Sequence, residues 1–108
     1  MALTKAHKFN TTQKRTAELA KALGHPARIA IIEILTRRNS CICGDITDEL
    51  PLAQSTVSQH LKALKKAGII KGEIDGVRTC YCIDEQACQE LKELLGTFIK
   101  QIQTENCC

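Results

Sequence analysis

The sequence predicts a mainly α domain that carries one two-stranded β-hairpin. Apolar residues fill 44% of the 108 positions but aromatics only 3%, so the core must come from Leu, Ile, Val and Ala. That palette suits packed amphipathic helices better than stacked sheets. Apolar positions recur at helical spacing along most of the chain, and one pair of short β-prone runs flanks Asp75-Gly76, a dipeptide favoured where a hairpin needs positive φ.

Residues 1–11 lack periodicity and read as a flexible N-terminal arm, residues 12–104 as one folded domain, and residues 105–108 as a flexible cysteine-containing tail. From about Thr12, Ala17, Leu19, Ala20 and Leu23 fit a first helix that stops at Gly24. Pro26 suits the first turn of a second helix carrying Ile29, Ile31, Ile32, Ile34 and Leu35 and closing with Arg37 and Arg38 at its negative dipole end. Being apolar on most sides, that helix is expected at the centre. Asn39-Ser40 is a break, and Ile46 and Leu50 mark a short third helix that ends before Pro51.

A fourth helix is expected from about Gln54 to Ala67, with Val57, Leu61 and Leu64 on one face and Gly68 as its stop. Ile69–Ile74 and Arg78–Ile83 are the two strands of the hairpin. Asp84 can cap a final helix whose Leu91, Leu94, Leu95, Phe98, Ile99 and Ile102 form one stripe. That stripe is longer than a domain of this size can cover from within, which points to a two-fold partner.

Two short helices joined by a tight turn, the second polar on one side and followed by a hairpin, describe a winged helix-turn-helix. Its polar face predicts contact with double-stranded DNA. Gln54 and Gln59 suit an adenine edge in the major groove; Ser55, Thr56 and Ser58 suit bases or phosphates, with His60 at the margin. Lys62, Lys65, Lys66, Lys71 and Arg78 fall where phosphates would lie. A polar helix face alone is usually just solvated. Here short hydroxyl and amide side chains dominate the helix start, lysines its end, and a hairpin follows directly. The net charge of +3 is compatible with DNA but too small to argue for it alone.

The residues Leu23-Gly24-His25-Pro26-Ala27-Arg28-Ile29, Cys41-Ile42-Cys43-Gly44-Asp45-Ile46 and Gln54-Ser55-Thr56-Val57-Ser58-Gln59-His60-Leu61-Lys62-Ala63-Leu64 closely resemble the ArsR/SmtB family of bacterial metal-sensing repressors. The resemblance covers about Leu19 to Ile83. It implies a homodimer paired through its first and last helices, bound to a palindromic operator and released by an inducer. One departure is Ala53, where the family often has a capping Ser.

Seven cysteines exceed ordinary usage for this length. The chain start has no continuous apolar stretch behind its charges, so neither a signal peptide nor a membrane anchor is expected. In the reducing cytoplasm a disulfide framework is not expected, and metal, metalloid or redox chemistry becomes the better explanation. Cys41 and Cys43 stand directly before the short third helix, where soft thiolates are good ligands for soft ions. A lone C-x-C is a weak motif. Within the resemblance it occupies the metal-site position of the arsenic-responsive branch, which implies trivalent arsenic or antimony as inducer, held by three thiolates, with no organic cofactor.

Some members of that branch carry a third cysteine three residues beyond the pair, where this chain has Ile46. Candidates for the third thiolate are Cys107, Cys108, Cys88, Cys80 and Cys82, the terminal pair being able to reach its own or the partner subunit. Cys80 and Cys82 share one strand face and could chelate an ion, although a half-exposed face explains them equally. The last helix has no His, which argues against a zinc site of the kind other family members carry there. Cadmium, lead or thiol-redox and persulfide sensing are alternatives on the same fold. An enzyme is disfavoured, since no C-x-x-C, phosphate loop or acid/base pair is evident. A pure dimerisation module would not need the polar helix face.

Overall fold

A computed structural model describes residues 8–38, 41–43, 49–73 and 80–102. Among the described residues the elements are four helices and a small antiparallel sheet: α1 (Thr11–Leu23), α2 (Pro26–Arg38), β1 (Ile42–Cys43), α3 (Gln54–Lys66), β2 (Ile70–Glu73), β3 (Cys80–Ile83) and α4 (Glu85–Gln101). The short helix expected around Ile46, the hairpin tip at Asp75-Gly76, Arg78, and the terminal Cys107-Cys108 lie outside the described residues.

Three of these helices start where a side chain accepts from a first-turn backbone amide. At α1 the Asn10 side chain accepts from the Gln13 amide at 2.7 Å, and the Gln13 side chain accepts from the Asn10 amide at 3.0 Å, a reciprocal capping box. At α2, Pro26 takes the first turn and His25 Nδ1 accepts from the Ala27 amide at 3.0 Å. Asp84 caps α4 by accepting from the Ala87 amide at 3.1 Å. By contrast, Ala53 offers α3 no side-chain cap, as its replacement of the customary Ser implies. At the far end of α3, Gly68 takes φ of +86° and lets the Ile69 amide reach the Leu64 carbonyl at 3.0 Å.

Leu19, Ile31, Leu64, Ile69, Ile70 and Tyr81 are almost fully buried and form the centre of the core. Thus α2 is central, as its composition predicts, through Ala27, Ile31, Ile34 and Leu35. Ile29 is an exception. It is 43% exposed.

The hairpin is larger than expected. Its strands are joined by β1 in a three-stranded sheet of order β1-β3-β2, all pairs antiparallel. Ile42 stands opposite Tyr81 and Cys43 opposite Cys80, while Lys71, Gly72 and Glu73 of β2 stand opposite Cys82, Tyr81 and Cys80. Two residues of strand carry no readable period, so β1 exists only because β3 offers it an edge.

Arg15 ties the platform formed by α1 and α4 to the end of α3. Its guanidinium donates twice to Glu90 at 2.8 Å, once to the Ala67 carbonyl at 2.9 Å, and also pairs with Glu18. The bidentate bond to Glu90 holds the arginine charged far above its ordinary pKa and lowers that of the Glu90 carboxyl.

Candidate nucleic-acid interface and cysteine cluster

α3 buries Val57, Leu61 and Leu64 and turns its other side outward. Gln54, Ser55, Gln59 and Lys62 are exposed, while Thr56 and Ser58 are half-buried at the edge of the same face. Lys65 and Lys66 occupy the last turn, and Lys71 is exposed on β2. The residues expected to read or straddle DNA are therefore presented together by one rigid helix and the adjoining strand, apart from Arg78, which is not among the described residues.

His60 is more engaged than the sequence suggests. Its Nδ1 accepts from Arg28 Nε at 3.1 Å, and its ring packs on His25 with centroids 4.3 Å apart. Arg28 also donates to the Ala22 carbonyl at 3.2 Å, so one side chain joins the end of α1 to the middle of α3. Nothing in the spacing of His25, Arg28 and His60 signals this cluster, which forms only when α2 crosses α3. Burial first, then the nearby charges of His25 and Arg28, lower the His60 pKa below its ordinary value of 6.5.

Because the folded state prefers neutral His60, its contribution is complete above the ordinary imidazole pKa and is lost as pH falls below it. Thermal stability is thus expected to decline as pH falls below the ordinary imidazole value of 6.5, and His60→Gln to flatten that decline. Identical pH profiles for the two proteins would remove His60 from the explanation.

The cysteines are arranged in a way the sequence did not suggest. Cys41 and Cys82 are joined in a disulfide with Cα atoms 4.3 Å apart, and Cys80 is also disulfide-bonded. The expectation of no disulfides is corrected here, and the reason is register: pairing of β1 with β3 sets two C-x-C segments side by side across 41 residues of sequence. Cys88, near the start of α4, is free and half-buried. It lines a cavity of about 450 Å³ together with Cys41, Cys82, Lys71 and Glu85. The described residues contain no group of three or more His, Cys, Asp or Glu arranged to hold a metal ion.

A polar helix held by a buried apolar face and followed by a sheet defines a winged helix-turn-helix DNA-binding protein. Residues 25–71 match the family described as "Bacterial regulatory protein, arsR family". The uncharacterized HTH-type transcriptional regulator MJ1325 of Methanocaldococcus jannaschii is 40% identical over 76% of this chain and 92% of its own length. The arsenical resistance operon repressor of Bacillus subtilis is 33% identical over 82% of this chain and 85% of its own. A crystal structure of a "possible transcriptional regulator for arsenical resistance" superposes with a TM-score of 0.59 and 26% identity, covering 72% of this chain and 80% of that one. The chain belongs to the arsR family of transcriptional regulators, and its role is regulatory rather than enzymatic.

Proposed function

We propose that this protein is a cytoplasmic repressor that binds a palindromic operator as a homodimer and is released when trivalent arsenic or antimony binds the thiolates of Cys41 and Cys43. The observation that carries the reading is the placement of Cys43 on β1, with Cys41 two residues before it, in the same sheet as β2, which follows α3 directly. An ion drawn to that strand therefore acts on the DNA-reading unit itself. The Bacillus relative, an arsenical resistance operon repressor, supports the same inducer class.

Gln54, Ser55, Thr56, Ser58, Gln59 and His60 belong to the reading helix, and Lys62, Lys71 and Arg78 to the phosphate contacts. Dimerisation is supported by the end of α4, where Phe98, Ile99 and the C-cap residue Ile102 are exposed. Phe98 also lines a largely apolar groove of about 690 Å³ together with Ala17 and Ala20 of α1 and Leu94 and Leu95 of α4. No helix among the described residues is long and apolar enough to cross a membrane.

For release, the inducer must bind the DNA-incompetent dimer more tightly than the competent one. A coupling of about 1–3 kcal/mol lowers operator affinity roughly 5- to 150-fold. The test is an operator titration of reduced protein with arsenite: the wild type is expected to weaken within that range, and Cys41→Ser, Cys43→Ser protein to stay bound. Continued release from the double variant would refute the assignment. A second reading, thiol-redox or persulfide control, is favoured by the Cys41–Cys82 disulfide. Release by polysulfide, with none by arsenite, would select it.

A further inference from the structure

Trivalent arsenic needs three thiolates and a tetrahedral cation four, yet Cys41 and Cys43 supply two. The sheet register points to where the others lie. Cys43 stands opposite Cys80, and Cys41 is bonded to Cys82, so two C-x-C segments of opposite strand direction face each other over a single ladder step. Alternation puts Cys80 and Cys82 on one face of β3, while the intervening Tyr81 points to the core and is 1% exposed. On the cysteine side the sheet borders the 450 Å³ cavity, and both Cys82 and Cys41 line it. Cys41 is exposed and Cys80 and Cys82 are half-buried, with Lys71 and Glu85 at the cavity, an accessible setting rather than the full burial that keeps structural cysteines inert.

We infer that, once reduced, Cys41, Cys43, Cys80 and Cys82 form one cross-strand thiolate site for a thiophilic ion, Cys80 and Cys82 supplying the donors that the first pair lacks. This rests on the reading of Cys41 and Cys43 as inducer ligands. The disulfides gate the site, since a bonded sulfur has no thiolate to offer. Opening each one takes two electrons and two protons from a dithiol reductant and leaves two thiols. A divalent d10 cation then displaces four protons to give a tetrathiolate, whereas arsenous acid condenses with three thiols and releases three waters, with no change of oxidation state. Lys71, opposite Cys82, partly offsets the negative charge of a tetrathiolate, and Glu73, opposite Cys80, works against it.

The site reaches the DNA-reading unit from both directions. β1 precedes α3 in the chain and β2 follows it, so an ion that pulls β1 and β3 together changes the edge against which β2 is paired. Cys88 lines the same cavity but stands on α4, outside the ladder, and is not one of the four donors.

The test is direct titration of fully reduced full-length protein with cadmium chloride and, separately, sodium arsenite. Thiolate charge-transfer absorbance reads the binding, and proton release counts the sulfurs that bind cadmium. One cadmium per chain with about four protons released is expected for the wild type. Cys80→Ser, Cys82→Ser protein is expected to bind at least about 100-fold more weakly, because loss of an outer-shell partner alone costs roughly 10- to 100-fold. Removing Cys107 and Cys108 is expected to change nothing, and the oxidised protein is expected not to bind.

Wild-type affinity in the Cys80→Ser, Cys82→Ser protein, or equal binding by oxidised and reduced protein, would overturn the inference. Operator binding without any ion confirms that each variant is folded. If arsenite still releases that variant from DNA, this site fails while the repressor reading stands. If the ions bind the wild type as described but never release DNA, the site stands and that reading fails.

Discussion

Gly72→Ala is expected to lower stability by about 2–5 kcal/mol, combining backbone strain with overpacking. Gly72 holds φ at +121°, a conformation that side chains of L-residues rarely adopt. It also stands opposite Tyr81 on β3, and a Cβ there would lie 2.1 Å from the Cys80 carbonyl oxygen and 2.9 Å from the Tyr81 Cα. Both neighbours are backbone, so neither can rotate aside, and β2 must part from β3. A domain of this size has only about 5–15 kcal/mol in total, and each kcal/mol is worth roughly 4–8 °C in Tm. Thermal unfolding should therefore show a fall of about 10–30 °C. A change below about 1 kcal/mol would mean that β2 and β3 are not so close.

Phe98→Asp, Ile99→Asp protein is expected to be monomeric and to bind operator roughly 10²- to 10⁴-fold more weakly, the advantage that linking two half-site contacts provides. These side chains are 51% and 64% exposed in the single chain, so the substitutions leave the core of each subunit intact. Sedimentation reads the oligomeric state, thermal unfolding the integrity of the subunit, and a DNA titration at fixed salt the affinity. If the double variant remains dimeric, the α4 face is not the interface. If it is monomeric yet binds operator like the wild type, pairing through α4 plays no part in recognition.

Much of the fold was legible along the chain because its signals are local. Pro26, Arg37 and Arg38 delimit α2, Asp84 opens α4, and Val57, Leu61 and Leu64 orient α3, each within one or two helical turns of the residues it affects. The polar face of α3 was legible for the same reason: a helix that must bury three aliphatic residues on one side fixes what the other side presents. The β1 strand was not. A two-residue strand has no period to detect, and Ile42 and Cys43 acquire strand character only by pairing with Tyr81 and Cys80. The His25–Arg28–His60 cluster escaped for a related reason, since α1, α2 and α3 must meet before Arg28 can bridge them.

Residue pattern alone was enough to specify a winged helix-turn-helix and the helix with the exposed polar face, because amphipathic periodicity and capping depend on neighbours within a few positions. It was also enough to mark the cysteines as the chemically distinctive residues. Which cysteines act together was decided only in three dimensions. Cys41 and Cys82 are 41 residues apart in sequence, and strand pairing brings their Cα atoms to 4.3 Å. Ladder register depends on the whole sheet closing over the core, and no spacing within either C-x-C segment encodes it.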